Sequence, residues 1–313
     1  MYPTLRDVQN AAQRIRPYAH CTPVMTCASL NRQVDAQVFM KCENLQKVGA
    51  FKFRGACNAI FALPEDQVSR GVVAHSSGNH AQALALAARL RGIPAYIVMP
   101  DNAAEVKKAA VAGYGGLITF CEPTLAARET TQAGLIAETG AIEVHPYDNE
   151  WVIAGQGTAA LEMLQEVPDL DVIMAPVGGG GLLSGTAITA HGLSPGMRVI
   201  AAEPEGADDA YRSLAAGVII PSTNPQTIAD GLLTSLGELT FPIIQQQVEQ
   251  IVTVSEAGIV SAMKFVWERA KIIIEPSAAV PLAALWERKI DLSGLRIGVI
   301  ISGGNVDLEK LPW

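Results

Sequence analysis

The sequence predicts an α/β protein built from two doubly wound, open parallel sheets. Three observations predict it. From residue 70 onward, short β-branched runs alternate with alanine-rich helical runs. The strongest β-branched runs are apolar along their whole length, as suits strands of a parallel sheet covered on both faces. With 313 residues, 49% hydrophobic, 17% charged and 28 glycines, the chain exceeds one small core and has the make-up of a two-domain α/β enzyme.

The elements follow in chain order. Leu5, Val8, Ala12 and Ile15 repeat with helical spacing, and Thr4 with Asp7 resembles a capping box. Residues 72–75 form a strand before a helix over 81–90. Residues 95–99 precede a helix over 105–112, and 116–120 precede one over 125–138. Each unit is short enough for a parallel crossover. These three units make a compact small domain, 71–148, inserted in a large domain made of 1–70 plus 149–313. Residues 171–177, 198–202 and 296–301 are the strands of the large domain.

Bulk properties exclude several classes. The net charge is −8 and the densest positive pair is Lys107-Lys108, so nucleic acid is not an expected partner. Residues 172–197 lack charge but hold four consecutive glycines, two prolines and a histidine, so they do not span a membrane. Cys21, Cys27, Cys42, Cys57 and Cys121 form no CxxC pair and read as buried thiols in a reducing compartment. The N-terminus shows no signal-peptide core. A soluble, cytoplasmic protein is expected.

Four loops carry candidate chemistry. Gly178 to Gly181 lie between a strand and a helix, where glycine backbones and a helix N-terminus cradle an anion. Neither the Walker pattern nor GxGxxG is met, although Glu203 ends the next strand near where a ribose-binding acid would lie. Ser76-Ser77-Gly78-Asn79-His80 is a second strand-to-helix nest, suited to a carboxylate or simply a capped turn. Ile301-Ser302-Gly303-Gly304-Asn305 ends the last strand. Parallel sheets bind ligands beyond the carboxyl ends of their strands, so the three loops can converge. Glu203 to Asp209, EPEGADD, is either a solvated acidic loop or a hard-cation site. The five histidines show no zinc spacing.

Lys52 stands in VGAFKFRGA between Phe51 and Phe53. A buried ammonium is costly unless it is paired or loses its proton. A phosphate cradle without a nucleotide fingerprint, together with such a lysine, points to pyridoxal phosphate (PLP) held as a Schiff base.

The chain resembles the fold-type II PLP enzymes (tryptophan synthase β-like), specifically the serine racemase and short serine/threonine dehydratase family. The motifs are KCENLQKVGAFKFRGA (41–56), SSGNHAQA (76–83), AGQGTAALE (154–162), PVGGGGLLSG (176–185), EPEGADD (203–209), IADG (228–231) and ISGGNVD (301–307). The resemblance implies a cofactor in the cleft between the two domains, attached to Lys52. Gly178, Gly179, Gly180 and Gly181 with the backbone of Leu182 would hold its phosphate. Asn79 would bond the ring hydroxyl and Ser302 the pyridine nitrogen, with Phe51 and Gly231 flanking the ring. Ser76, Ser77, Gly78, Asn79 and His80 would bind the substrate carboxylate, with Arg128 assisting on closure. Lys52 is the implied base at Cα, and Ser77 the second base on the opposite ring face.

The implied reaction is deaminating dehydration of L-serine or L-threonine to a 2-oxo acid and ammonia, with serine racemisation from the same site. The cofactor phosphate is the implied acid for the leaving hydroxyl, and neutral Ser302 the implied reason that elimination competes well. Dehydration of threo-3-hydroxyaspartate and primary racemisation of an amino acid are the alternatives. A silent ligand sensor and a nucleotide-dependent oxidoreductase are rivals from other classes. The resemblance also turns Glu203, the Ala207 carbonyl and Asp209 into a site for Mg²⁺, Mn²⁺ or Ca²⁺ and removes the ribose reading of Glu203. It further implies a homodimer. Lys47, Gln82, Tyr114, Lys271 and Asn305 match an ATP effector site of animal serine racemases, with Val48 replacing a threonine. No regulatory domain follows Trp313, so isoleucine feedback is not expected.

Overall fold

The computed structural model describes residues 2–76 and 78–313. Its strands are β1 (Val24–Thr26), β2 (Gln37–Cys42), β3 (Val72–His75), β4 (Ala95–Pro100), β5 (Leu117–Cys121), β6 (Ile142–Glu143), β7 (Val172–Pro176), β8 (Arg198–Pro204), β9 (Gln250–Val254) and β10 (Arg296–Ile301). They form a six-stranded sheet, β1-β2-β10-β7-β8-β9, and a four-stranded sheet, β5-β4-β3-β6. Only the edge pairing of β1 with β2 is antiparallel among the described strands. The predicted α/β class with two parallel sheets is therefore observed. The apolar strands fall where the sequence places them; β1, β2, β6 and β9 are additions.

Strand β7 shows why a covered parallel strand reads as apolar throughout. Val172 and Met174 enter the core shared with helices Glu256–Arg269 and Pro276–Trp286. Ile173 and Ala175 enter the opposite core, shared with helices Glu150–Glu166 and Gly181–Leu193. Both faces are buried, so no polar alternation survives. A third core packs helices Lys52–Ala62 and Asn79–Arg91 against the four-stranded sheet.

At the N-terminus, Thr4 N donates to Asp7 Oδ2 at 2.8 Å, completing the predicted capping box of helix Leu5–Ile15. Helices Glu150–Glu166 and Gly181–Leu193 approach backbone to backbone. A Cβ on Gly185 would lie 2.4 Å from the Ile153 carbonyl oxygen. Only glycine permits that approach, and the approach fixes the helix that starts at the glycine loop.

The topology places the candidate loops. In the small sheet β4 and β5 lie on one side of β3 and β6 on the other, so the loop after β3 opens at a switch point. In the large sheet β8 and β9 lie on one side of β7 and β10 on the other, so the loops after β7 and β10 flank a second switch point. Among the described residues no helix is long and apolar enough to cross a membrane.

Candidate active site

Lys52 opens helix Lys52–Ala62 and is half-buried. Its Nζ donates to the Pro146 carbonyl oxygen at 2.9 Å and lies 5.2 Å from the Phe51 ring centre. Burial draws its pKa from 10.5 down to about 8, with the charge of Glu275 opposing the shift. An amine tuned in this way reacts readily with a carbonyl carbon. The Phe51 N–H donates to the Ser302 carbonyl at 2.9 Å, and Ala50 bridges to Gly303. The loop after β10 therefore lies against the lysine segment. The Ser302 hydroxyl is buried and has no protein partner.

Helix Gly181–Leu193 begins after Gly180, whose φ of 89° is left-handed, and no side chain caps it. Its first N–H groups are open to an anion, and the helix dipole favours one. Gly231 adjoins this loop: a Cβ on Gly178 would lie 3.3 Å from the Gly231 carbonyl oxygen. The Tyr147 ring packs on Gly179, where a Cβ would sit 2.3 Å from Cδ1. His145 meets that ring edge-on at 4.5 Å. Asp148 accepts the Leu239 N–H at 2.8 Å. Segment 145–148 thus runs from the lysine to the glycine loop. Tyr147 has no motif signal, because its role depends on a contact 32 residues away.

Helix Asn79–Arg91 also starts without a side-chain cap, and the space beside Gly78 is open. The Gly78 N–H donates to Ser76 Oγ at 3.3 Å. The His80 side chain is occupied elsewhere: its Nε2 donates to the Val144 carbonyl at 2.9 Å. Burial, aided by the charge of Lys52, lowers the His80 pKa to about 3, so the ring is neutral. His80 can offer a carboxylate its backbone N–H only. Ser77 lies outside the described residues. Arg128 is half-buried, donates from Nε to its own helix cap at Thr124 O (3.3 Å), and meets no carboxylate among the described residues.

A carboxylate not anticipated from sequence stands beside Asn79. Glu275 is buried, and both its oxygens accept from Asn79 Nδ2, at 3.1 and 3.2 Å. It also accepts the Asn305 N–H at 3.1 Å. Burial raises its pKa to about 7, Asp230 adding to the rise and the asparagine bonds opposing it.

The acidic loop is built inward. Glu203, at the end of β8, is fully buried and accepts the Ala210 and Tyr211 N–H groups at 3.0 and 2.9 Å. Both Asp209 oxygens are buried without a hydrogen-bond partner, and Ala207 is buried between them in sequence. Burial pushes the Glu203 pKa up to about 8 and the Asp209 pKa up to about 6. Two carboxylates raised chiefly by burial, with Asp209 adding to the rise at Glu203, suit a hard cation. No group of three His, Cys, Asp or Glu side chains suited to a metal occurs among the described residues, so a cation here would lean on the backbone and water.

The five positions matched to a nucleotide site show no mutual hydrogen bond among the described residues. Lys47 Nζ lies 5.6 Å over the Phe53 ring, Arg89 lies 6.0 Å over Tyr114, Gln82 is buried and Lys271 is exposed. Asn305 instead joins Asn79 through Nδ2 to Oδ1 at 2.9 Å.

Arg54, two residues from Lys52, belongs to a separate buried network. It bonds Glu43 at 2.7 and 2.9 Å and Glu162 at 2.7 Å from each of two nitrogens. Lys41 completes the set on Glu162 at 2.6 Å. Burial works against the Arg54 charge, and the two carboxylates outweigh it, raising its pKa. Arg54 is structural.

An amine of lowered pKa, an open helix N-terminus and an unpartnered hydroxyl are thus linked through segment 145–148 and the Phe51–Ser302 backbone bond. Residues 15–303 match the family model described as pyridoxal-phosphate dependent enzyme. The chain belongs to this family. It is 53% identical over 311 residues to a beta-hydroxyaspartate dehydratase of Paracoccus denitrificans, covering 99% of each chain. It is also 53% identical over 312 residues to a serine racemase of Dictyostelium discoideum, covering 98% of this chain and 96% of the relative. The structure of maize serine racemase superposes with a TM-score of 0.97 at 47% identity, covering 99% of this chain and 95% of that one. The chain is therefore a PLP-dependent enzyme of the racemase and ammonia-lyase group. The site's own donors fit the cofactor: an amine for the aldehyde, open N–H groups for the phosphate, and a buried hydroxyl that lacks a partner.

Proposed function

We propose that this enzyme dehydrates a small L-hydroxyamino acid to a 2-oxo acid and ammonia and racemises serine at the same site. The observation that carries the reading is the juxtaposition of Lys52 and the orphaned Ser302 hydroxyl through the Phe51–Ser302 backbone bond. Lys52 would hold the cofactor, Gly178 to Gly181 and the Leu182 N–H would bind its phosphate, and Ser302 would serve its ring nitrogen. Phe51 and Gly231 would flank the ring, and Asn79 would meet the ring hydroxyl. The cofactor, when bound, supplies an electron sink for charge developing at Cα.

The chain's own groups do the rest. The Ser76–His80 loop would hold the substrate carboxylate. Lys52, as a free amine, would take the Cα proton. Loss of that proton and of the β-hydroxyl, which leaves with a proton as water, gives the 2-oxo acid and ammonia after hydrolysis. Return of a proton from Ser77 on the other face gives the enantiomer instead.

A second reading, dehydration of threo-3-hydroxyaspartate, is favoured by Arg128, a half-buried cation with no carboxylate partner among the described residues. It also agrees with the similarity to the Paracoccus dehydratase. One substrate panel separates the readings. L-serine, L-threonine and L-threo-3-hydroxyaspartate are assayed for 2-oxo acid release and for enantiomer formation. Turnover confined to hydroxyaspartate selects the second reading, and no turnover with any of them rejects both.

We further propose a large domain, 1–70 plus 149–313, with 71–148 inserted. A divalent cation, Mg²⁺ first among Mg²⁺, Mn²⁺ and Ca²⁺, sits at Glu203, Asp209 and the Ala207 carbonyl. The supporting observation is the pair of unpartnered Asp209 oxygens. A cytoplasmic homodimer follows the same reading, and five unpaired cysteines agree with a reducing compartment. ATP as an effector, at Lys47, Gln82, Tyr114, Lys271 and Asn305, is tested by the activity's response to nucleotide.

A further inference from the structure

Asn79 carries one carbonyl and two N–H groups, and its neighbours constrain both ends. The order of contacts runs through four residues. The Val48 carbonyl accepts from Asn305 Nδ2 at 2.7 Å, and the same nitrogen donates to Asn79 Oδ1 at 2.9 Å. That uses both hydrogens of the Asn305 amide, and the Val48 carbonyl forbids turning it over. The Asn79 carbonyl is therefore occupied. Asn79 Nδ2 gives one hydrogen to the Glu275 carboxylate, shared between the two oxygens at 3.1 and 3.2 Å. Turning the Asn79 amide over would set its oxygen against Glu275 and its NH₂ against the NH₂ of Asn305. Both contacts would be repulsive, and the one at Glu275 lies in a part-buried setting. One Asn79 hydrogen is left uncommitted.

We propose that Glu275 and Asn305 lock the Asn79 amide so that it meets the ring hydroxyl of PLP as a donor and never as an acceptor. The proposal rests on the reading of the site given above and adds to it a positioning role for Glu275. Glu275 reaches the cofactor region from helix Pro276–Trp286, for which it is the N-cap residue. The charges that face it are Lys52, Asp230 and Lys107. Its carboxylate is held by the Asn305 N–H at 3.1 Å, so it is itself fixed.

The chemical consequence is a choice of tautomer. A donor on the ring oxygen stabilises the negatively charged oxygen, and the proton shared with the Lys52 nitrogen moves to that nitrogen. That form absorbs in the visible. An acceptor, or no partner, leaves the hydroxyl neutral and the absorption in the near ultraviolet. The protonated nitrogen is also the form that an incoming amine attacks most readily. Glu275 would thus prepare the cofactor for exchange with substrate without touching it.

The test is the spectrum of purified holoenzyme, with cofactor content measured separately as pyridoxal phosphate released on denaturation. Glu275→Gln removes the charge and keeps the shape, and its NH₂ can now donate to the oxygen of a turned-over Asn79. The expected result is a fall in the ratio of visible to near-ultraviolet absorbance of about tenfold, the worth of one hydrogen bond to a charged oxygen. Cofactor content stays at wild-type level. Asn79→Asp, which has no donor, shifts the ratio in the same direction, and Glu275→Asp restores it in part. An unchanged ratio in Glu275→Gln with full cofactor content overturns the proposal, since a merely structural glutamate would change stability alone. If Glu275→Gln does not fold, Asn305→Ala carries the test. It frees the Asn79 carbonyl from an exposed loop, and an unchanged ratio there overturns the proposal equally. Wild-type protein that takes up no PLP fails differently: it overturns the reading of the site, and this inference with it.

Discussion

The Lys52 Nζ donates to the Pro146 carbonyl oxygen at 2.9 Å, one residue before the tyrosine that covers the glycine loop. The amine is held toward the cleft by a neutral acceptor. No carboxylate bonds it, so burial decides its proton affinity and brings the pKa to about 8. Uptake of PLP by cofactor-free protein needs the neutral amine. Its rate, followed at the visible band, should rise with pH through about 8; a rise delayed to the ordinary lysine range near 10.5 would contradict this. The stability sign follows from the lowered pKa. The folded state binds the Lys52 proton more weakly than the unfolded chain. The contribution is complete above 10.5 and is lost as pH falls through about 8. Measured against Lys52→Met, so that the opposing buried carboxylates cancel, cofactor-free wild-type protein should therefore lose stability between pH 9 and pH 7.

The packing of Tyr147 on Gly179 gives a coupled prediction. Gly179→Ala places a methyl 2.3 Å from the Tyr147 ring, close to its base, where the side chain has little freedom to swing. Overpacking of this kind costs ~1–3 kcal/mol, which corresponds to weaker PLP binding by roughly tenfold or more. Adding Tyr147→Ala to Gly179→Ala should recover most of the loss. A double variant no better than Gly179→Ala would show that the ring does not set the limit.

For the acidic loop, the expected readout is thermal unfolding with and without cation. Mg²⁺ at roughly a hundredfold excess over its dissociation constant should stabilise the fold by about 2.7 kcal/mol, and a chelator should reverse it. Asp209→Asn should abolish the response. Wild-type protein indifferent to both chelator and Mg²⁺ would return residues 203–209 to a buried acidic turn.

Arg54 offers a prediction about stability alone. Arg54→Met leaves Glu43 and Glu162 without their main partner, with Glu43 fully buried. Breaking a buried pair in this way costs about 3–5 kcal/mol. Chemical denaturation should show that loss, while the visible band of folded holoenzyme keeps its position. A band displaced by Arg54→Met would mean that the cluster also shapes the cofactor site.

What could be read in the sequence follows from what is local. Strand β7 is apolar end to end because both faces are covered, and β3 before His75, β4, and β10 after Arg296 share that signature. Strand β2 was hidden, since its Lys41 looks like a surface residue until Glu162, 121 residues away, is brought to 2.6 Å. Strand β6 has two residues and carries no periodicity. The glycine loop, Lys52 and the Asp209 loop lie in contiguous motifs, so a chemistry can be proposed for them from sequence. Glu275, Tyr147 and the partners of Arg54 were not legible, because each acquires its role from a contact distant in sequence. His80 shows the opposite limit: its motif suggested a ligand contact, and the fold gives its side chain to Val144.

The central claim is a covalent link between Lys52 and the cofactor. Holoenzyme reduced with borohydride and digested should yield one pyridoxyl-bearing peptide in the mass spectrum, modified at Lys52. A pyridoxyl group on any other lysine, or a reduced protein that releases all its cofactor on denaturation, would contradict the account.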